Sequence, residues 1–242
     1  MHSVLIRDTE YSNTLYLIRK MELLDYLETI ITEERKQRFI EVLRYRSKHF
    51  TVAVEDVYQL HNTSAVMRSC EVFGIQELNI IEQRFGKSID KQIAMGAQKW
   101  VDVYQYDSTR ACISALRSQG YRIIATTPHE DSSSLDTFSL DQKAAIFFGK
   151  EKEGLSEQVL KNADGFLTIP MYGFTESLNV SVSAAIILRH LRARLHQSDI
   201  CWRLSQKELT DLRLKWIKKC IKNVDEIIEH YYKDQSHTYD KQ

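Results

Sequence analysis

The chain has 242 residues, a length that suits one domain with extensions and allows a sizeable buried core. Hydrophobic residues make up 43% and charged residues 27% of the chain, as in ordinary soluble globular proteins. Eight glycines and two prolines exclude collagen-like and low-complexity chains, and they disfavour a turn-rich all-β sandwich. The 33 basic and 33 acidic residues cancel, so the net charge neither indicates nor excludes a nucleic-acid partner.

The cysteines and the apolar stretches bear on the compartment of the protein. Four cysteines show no C-x-x-C spacing, which argues against a disulfide scaffold and a structural zinc site. The longest uncharged apolar stretch, Val180 to Leu188, is too short to cross a bilayer, and the first residues lack the pattern of a signal peptide. We therefore expect a cytoplasmic protein with no membrane anchor and no metal site.

The positions of the glycines divide the chain into three parts. All eight lie between Gly74 and Gly173, and both prolines also lie in this middle region. Because glycine and proline mark turns, we predict helical arms on either side of an α/β core. The predicted parts are an N-terminal helical arm, basic at its end, over residues 1–48, the core over 49–196 and a C-terminal helical arm over 197–242.

Within the core, short apolar runs alternate with helical patterns. The predicted strands cover residues 51–55, 78–81, 101–104, 121–125, 144–148 and 166–169. The predicted helices cover residues 62–73, 108–119, 156–162 and 178–195. Short buried strands that alternate with helices are typical of a mostly parallel sheet with helices on both faces.

Basic residues are concentrated near the two ends of the core. Residues 35–48 contain six Lys or Arg and one acid, and residues 192–222 contain nine Lys or Arg and three acids. Such runs form either solvated helix faces or a phosphate-binding surface. Charge alone does not decide between these two interpretations.

Three segments of the core combine residues that generic packing does not explain. The first begins a predicted helix with Asn62 and carries Arg68 nearly two turns later. The second reads Phe148-Gly-Lys-Glu-Lys-Glu-Gly-Leu, in which the two glycines let the backbone approach a ligand. The third reads Ile169-Pro-Met-Tyr-Gly-Phe-Thr-Glu-Ser-Leu-Asn-Val-Ser, in which polar side chains open a helix of small residues.

Two familiar phosphate-binding patterns do not fit these segments. No G-x-G-x-x-G follows the first predicted strand, which disfavours a nicotinamide-dependent oxidoreductase. The second segment has the outline of a P-loop, but Leu155 stands where that loop requires a lysine.

In this order, the three segments resemble the three motifs of the SpoU family of RNA 2′-O-ribose methyltransferases, within the SPOUT class. The resemblance covers about residues 35–195. The basic arms are most similar to the TrmH branch of the family, whose members methylate guanosine 18 of tRNA. The resemblance implies an α/β fold with a C-terminal trefoil knot, an exception to the usual rules of topology.

The resemblance also implies a cofactor, partners and site residues. The cofactor is S-adenosylmethionine, the substrate is tRNA, and two copies of the chain pair as a homodimer. The implied cofactor-binding residues are Thr126, Gly149, Ile169, Met171, Ser177 and Leu178. The implied catalytic residues are Arg68, Asn62, Glu151 and Asn179. The implied ligands of RNA phosphate are Arg38, Arg192 and Arg194.

The implied reaction is an attack of a ribose 2′-oxygen on the methyl group of the cofactor. The family proposal makes the arginine of the first motif the base, here Arg68. A guanidinium normally stays protonated, so two roles are open. Arg68 either transfers the proton with help from a substrate phosphate, or it remains a cation that stabilises the developing alkoxide while solvent takes the proton.

Two other functions compete with tRNA methylation. Ribosomal RNA is the alternative substrate, and the lack of an evident separate RNA-binding domain favours tRNA. A non-catalytic RNA-binding protein is the alternative of another class. The presence of Arg68, Glu151 and Asn179 argues against it.

Overall fold

The computed structural model describes residues 16–57, 60–82, 95–127, 132–150 and 153–239. The chain folds into two compact units: Arg46–Arg203, and the two terminal segments up to Tyr45 and from Leu204 onward. The three predicted parts, with boundaries at residues 48 and 196, stay a prediction. Across the described ranges, no helix is both long and apolar enough to span a membrane.

The unit Arg46–Arg203 contains a seven-stranded sheet in which every described strand pair is parallel. Its strands, which lie in the order β3-β2-β1-β6-β4-β7-β5, are β1 (Phe50–Glu55), β2 (Glu77–Ile81), β3 (Asp102–Tyr106), β4 (Arg122–Thr126), β5 (Ser133–Ser134), β6 (Ala144–Phe148) and β7 (Gly165–Thr168). Its helices are α3 (Leu60–Val72), the 3-10 helix Ala97–Lys99, α4 (Thr109–Ser118), α5 (Glu157–Asn162) and α6 (Val180–Gln197). The α/β fold class with a mostly parallel sheet is confirmed.

The central strands are apolar because both faces of the sheet are covered. Strand β1 is buried along its whole length and pairs with β2 through Val52 and Leu78 and with β6 through Val52 and Ile146. One face packs against the buried residues Val66, Met67 and Cys70 of α3 and against the apolar side of α6. The other face packs against α4 and α5. Burial on two faces explains why these strands read as continuous apolar runs in the sequence.

The predicted strands and helices differ from the observed ones mainly at their ends. Helix α6 begins at Val180, two residues later than expected, because Asn179 is its N-cap. Strand β5 is the one described strand that the sequence pattern did not predict, since two serines give no apolar signal. The trefoil knot stays a prediction.

The second unit is helical. Its elements are the described part of helix α1 (residues 16–28), α2 (Glu33–Leu43), α7 (Gln206–Lys218) and α8 (Val224–Tyr239). Phe39 of α2 packs against Trp216 of α7, with ring centroids 5.7 Å apart. The buried carboxylate of Glu28 forms ion pairs with Lys36, at 3.1 Å, and with Arg213. These contacts join α7 to two helices, α1 and α2, that lie more than 160 positions earlier in the sequence.

Candidate active site

A cavity of about 400 Å³ lies at the carboxyl ends of three neighbouring strands, β6, β4 and β7. Strand β4 ends at Thr126, whose hydroxyl donates to the Phe147 carbonyl at 2.8 Å. The next residue, Thr127, donates its backbone N–H to the Leu167 carbonyl at 3.0 Å. These bonds fix the three strand ends relative to one another. Parallel α/β sheets bind ligands in crevices at this edge.

The cavity wall combines these strand ends with two of the sequence motifs. The second motif contributes the turn after β6, and the third contributes the irregular segment before α6 and the first turns of that helix. All six residues implied as cofactor-binding line this cavity: Thr126, Gly149, Ile169, Met171, Ser177 and Leu178. The structure therefore brings together side chains that are up to 52 positions apart in sequence.

The turn after β6 requires its two glycines. A Cβ atom on Gly149 would lie 2.3 Å from the backbone carbon of Gly154, which no side chain tolerates. Gly154 has a φ of +69°, in the left-handed region that favours glycine. Lys150 and Gly154 exchange backbone hydrogen bonds in both directions, each 3.0 Å long. The second motif thus forms a closed turn at the cavity wall.

The buried Glu55 at the carboxyl end of β1 holds the far side of this turn. Its carboxylate accepts hydrogen bonds from the Ser156 hydroxyl at 2.7 Å, from the Ser156 backbone N–H at 2.8 Å and from the Thr109 hydroxyl. Ser156 is the N-cap of α5, so Glu55 ties the starts of two helices to the sheet. The sequence analysis did not identify Glu55 as a residue that supports the site. An acid at the end of an apolar strand could have indicated it.

The first and third motifs meet through two asparagines. The Asn179 side-chain amide donates to Oδ1 of the buried Asn62 at 3.1 Å. The Asn179 Oδ1 atom accepts from the Ser181 backbone N–H at 2.9 Å and caps α6. Asn179 lies between Leu178 and Val180, which both line the cavity. Two of the four implied catalytic residues are therefore in contact beside the cavity.

The other two implied catalytic residues are not part of this contact. Arg68 is exposed on α3, and it is not among the described residues that line the cavity. Six helical positions separate it from Asn62, which places the two side chains about 120° apart around α3. Glu151 lies outside the described residues.

The three arginines implied as RNA ligands have different environments. Arg38 is exposed on α2, with a weak 3.4 Å contact to the exposed Glu41. Arg192 is buried: its Nε donates to the Phe73 carbonyl at 3.1 Å, and its guanidinium stacks on the Trp202 ring. This burial lowers the pKa of Arg192 to about 10. Arg194 is half-buried and donates to the Leu135 carbonyl at 2.6 Å.

The expectation that Arg192 and Arg194 act as a pair on RNA does not fit this geometry. They are two positions apart on α6, so their side chains leave the helix about 160° apart. Arg192 packs in the core because its flat guanidinium stacks well on an indole ring. Both arginines hold α6 to neighbouring segments of its own unit.

The Glu55 contacts generate a stability prediction. Glu55→Ala removes the acceptor of three hydrogen bonds at a buried position, so we expect the free energy of unfolding to fall by about 2–3 kcal/mol. Urea denaturation followed by circular dichroism measures the change. The matched control is Glu157→Ala, which removes an exposed carboxylate at the start of α5 and costs about 0.5 kcal/mol or less. Equal losses in the two variants would contradict the role of Glu55.

Comparison with known proteins places the cavity and its motifs in a family. Residues 49–189 match the profile described as the SpoU rRNA Methylase family. The tRNA (guanosine(18)-2'-O)-methyltransferase of Borreliella burgdorferi is 38% identical over 197 residues, covering 81% of this chain and 90% of that protein. The enzyme of the same name from Thermus thermophilus is 35% identical, covering 78% and 98%.

A solved structure agrees with these similarities. The crystal structure of the A. aeolicus TrmH/SpoU tRNA modifying enzyme matches with a TM-score of 0.70 at 29% identity, covering 79% of this chain and 98% of that one. The profile match and the high shared coverage lead to one conclusion: the chain belongs to the SpoU rRNA methylase family.

Proposed function

We propose that the protein is an S-adenosylmethionine-dependent methyltransferase that modifies the 2′-oxygen of a ribose in tRNA, at guanosine 18 of the D-loop. The observation that carries the proposal is the cavity at the carboxyl ends of β6, β4 and β7, which is lined by the residues of the second and third motifs. The names of the relatives from Borreliella burgdorferi and Thermus thermophilus supply the substrate and the position.

The described cavity wall fits the chemistry of this cofactor. A volume of about 400 Å³ lies within the usual range for small-molecule sites. Apolar side chains such as Leu160, Leu167 and Ile187 suit the adenine ring, and the hydroxyls of Thr126, Thr127 and Thr168 offer polar partners. The charged lining residues are Lys150, Glu153 and Glu176, which together carry a charge of −1. S-adenosylmethionine carries a sulfonium, an ammonium and a carboxylate, hence +1, so the charges are complementary.

When bound, the cofactor supplies a methyl group on a positively charged sulfur. The residues of the chain then have three tasks: to hold the ribose, to stabilise negative charge on its 2′-oxygen and to keep the motifs in register. Asn179 and Asn62 perform the last task through their 3.1 Å hydrogen bond. Arg68 is the cation of the first motif, and as an exposed guanidinium it suits a substrate phosphate and a developing alkoxide.

Ribosomal RNA is the second candidate substrate, because the family description names it. The relatives that share 78–81% of this chain are instead named for tRNA guanosine 18. We therefore assign tRNA as the substrate and retain ribosomal RNA as the control RNA in the assay.

The test of the function is the mapping of the methyl group. Unmodified tRNA and ribosomal RNA are incubated with labelled S-adenosylmethionine, and the product is digested and sequenced for 2′-O-methylation. We expect one methyl group on the ribose of guanosine 18 and no labelling of the ribosomal RNA. Label on a base, or on ribosomal RNA alone, would contradict the proposal.

The same assay tests the role of Arg68. Arg68→Ala should lower single-turnover methyl transfer by about 100-fold or more, the scale at which lost charge stabilisation lowers rates. The fold of the variant and its affinity for S-adenosylhomocysteine should stay unchanged. Arg68 is exposed and is not among the described residues that line the cavity. Near-normal transfer by this variant would remove Arg68 from catalysis.

We also propose that the protein is a cytoplasmic homodimer, with the knotted C-terminal topology of its class. Apolar side chains that a lone subunit leaves exposed support the dimer: Val182 and Ile186 lie one turn apart on α6, and Tyr172 and Phe174 are fully exposed beside the cavity. Apolar groups that cluster on a surface mark interaction sites.

Sedimentation equilibrium at micromolar concentration checks the dimer. Wild-type protein should sediment at twice the chain mass, and Ile186→Glu should shift it toward the monomer because the charge opposes burial of that face. The matched control is Ser114→Glu, which places the same charge on the exposed side of α4 and should leave the mass unchanged. A wild-type monomer would refute the proposal.

Fewer basic residues of the N-terminal arm are available to bind RNA than the basic run 35–48 suggested. Three of the six basic residues in 35–48 form ion pairs with acids elsewhere in the chain: Lys36 with Glu28, Arg46 with Glu71 and Lys48 with Glu77. The remaining three, Arg35, Arg38 and Arg44, are exposed. We propose that these exposed arginines of the N-terminal arm bind tRNA phosphates.

Arg38→Glu tests this surface. Each lost phosphate contact should reduce the slope of log affinity against log salt by about 0.7–0.9. Filter binding of tRNA across a salt series measures the slope. The control is Arg110→Glu, an exposed reversal on α4 that should leave the slope unchanged. An unchanged slope for Arg38→Glu as well would leave this arginine without a role in RNA binding.

A further inference from the structure

The described part of the cavity wall contains more acidic than basic side chains. Among the described lining residues, Lys150 is the one cation, and Glu153 and Glu176 are the two acids. Lys150 directly follows Gly149 at the end of β6, inside the second motif. Burial of a cation costs free energy unless an anionic group pairs with it. A cation in the wall of a ligand cavity therefore indicates that the ligand carries an anionic group.

The position of Lys150 is fixed by its backbone. Its N–H donates to the Gly154 carbonyl, and its carbonyl accepts from the Gly154 N–H, both at 3.0 Å. The side chain is 18% exposed, and its Nζ lies 2.9 Å from Oε2 of Glu153. The closed turn therefore fixes where the side chain leaves the wall, while the end of the side chain can change partner.

The carboxylate that pairs with Lys150 lies mostly in solvent. Glu153 is 65% exposed, so its carboxylate regains water when it leaves the lysine. Ion pairs between partly exposed groups contribute little to stability, which makes the exchange of one carboxylate for another inexpensive. A carboxylate on a ligand in the cavity would gain the same charge-assisted hydrogen bond from a lysine that is already in place.

We propose that Lys150 is a cofactor-binding residue that pairs with the carboxylate of the methionine portion of S-adenosylmethionine, in exchange for Glu153. The proposal rests on the proposed cofactor. It explains why a lysine stands in the wall of a cavity for a positively charged molecule, since the carboxylate is the single negative group of that molecule. Lys150 is then what distinguishes the intact cofactor from nucleosides that lack the amino-acid end.

Two nucleosides that differ in this carboxylate measure its contribution to the binding affinity. S-adenosylhomocysteine has the carboxylate, and 5′-methylthioadenosine keeps the adenosine and the sulfur but lacks the amino-acid end. Isothermal titration of the full chain gives the dissociation constant of each. Lys150→Gln should raise the dissociation constant of S-adenosylhomocysteine by about tenfold or more, the scale of a charge-assisted hydrogen bond. The dissociation constant of 5′-methylthioadenosine should stay unchanged.

Three further variants sharpen the experiment. Lys150→Arg keeps the cation and should retain the preference for S-adenosylhomocysteine. Glu153→Gln removes the competing carboxylate and should leave S-adenosylhomocysteine binding equal or tighter. Lys161→Gln removes a lysine from an exposed ion pair on α5 and should change neither constant.

The possible outcomes are distinct. If Lys150→Gln weakens both nucleosides equally, or weakens neither, Lys150 does not recognise the carboxylate and the inference is wrong. If wild-type protein binds both nucleosides but does not prefer S-adenosylhomocysteine, the inference is wrong while the proposed cofactor survives. If wild-type protein binds neither, the proposed function fails, and the inference fails with it.

Discussion

The hydrogen bond from Asn179 to Asn62 joins two segments that are 117 positions apart and on which the candidate site depends. One side chain performs two tasks, because its amide holds the start of α3 and its carbonyl oxygen caps α6. Asparagine suits both tasks, since it carries a donor and an acceptor on one short side chain. Aspartate at this position would lose the donor, and serine would be too short to replace both groups.

The sheet determines where everything else in the site lies. Parallel strands end at the same edge, so the turns that follow β4, β6 and β7 are neighbours even though other elements separate them in sequence. Glu55 adds a fixed anchor at that edge, from β1 to the cap of α5. The cavity wall is thus built from turns whose two ends are bound, which is the pre-organisation that small-molecule sites require.

The sequence predicted the elements well where the physics is local. Six apolar runs became strands, and Gly74 and Gly120 follow helices with positive φ, as helix-ending glycines do. Contacts between residues far apart in sequence could not be predicted from the sequence. The partners of Arg46 and Lys48 are Glu71 and Glu77, which lie more than 20 positions away, so a count of charge along the chain overstated the exposed basic surface. Arg192 looked like a surface arginine because nothing local indicates that Trp202 stacks on it.

The location of the cofactor is the central claim, since the catalytic and RNA-binding proposals are arranged around it. A crystal structure of the protein with S-adenosylhomocysteine tests it most directly. We expect the ligand in the cavity at the ends of β4, β6 and β7, in contact with Thr126, Gly149 and Met171. A ligand bound elsewhere in the unit, with this cavity holding only solvent, would contradict the account.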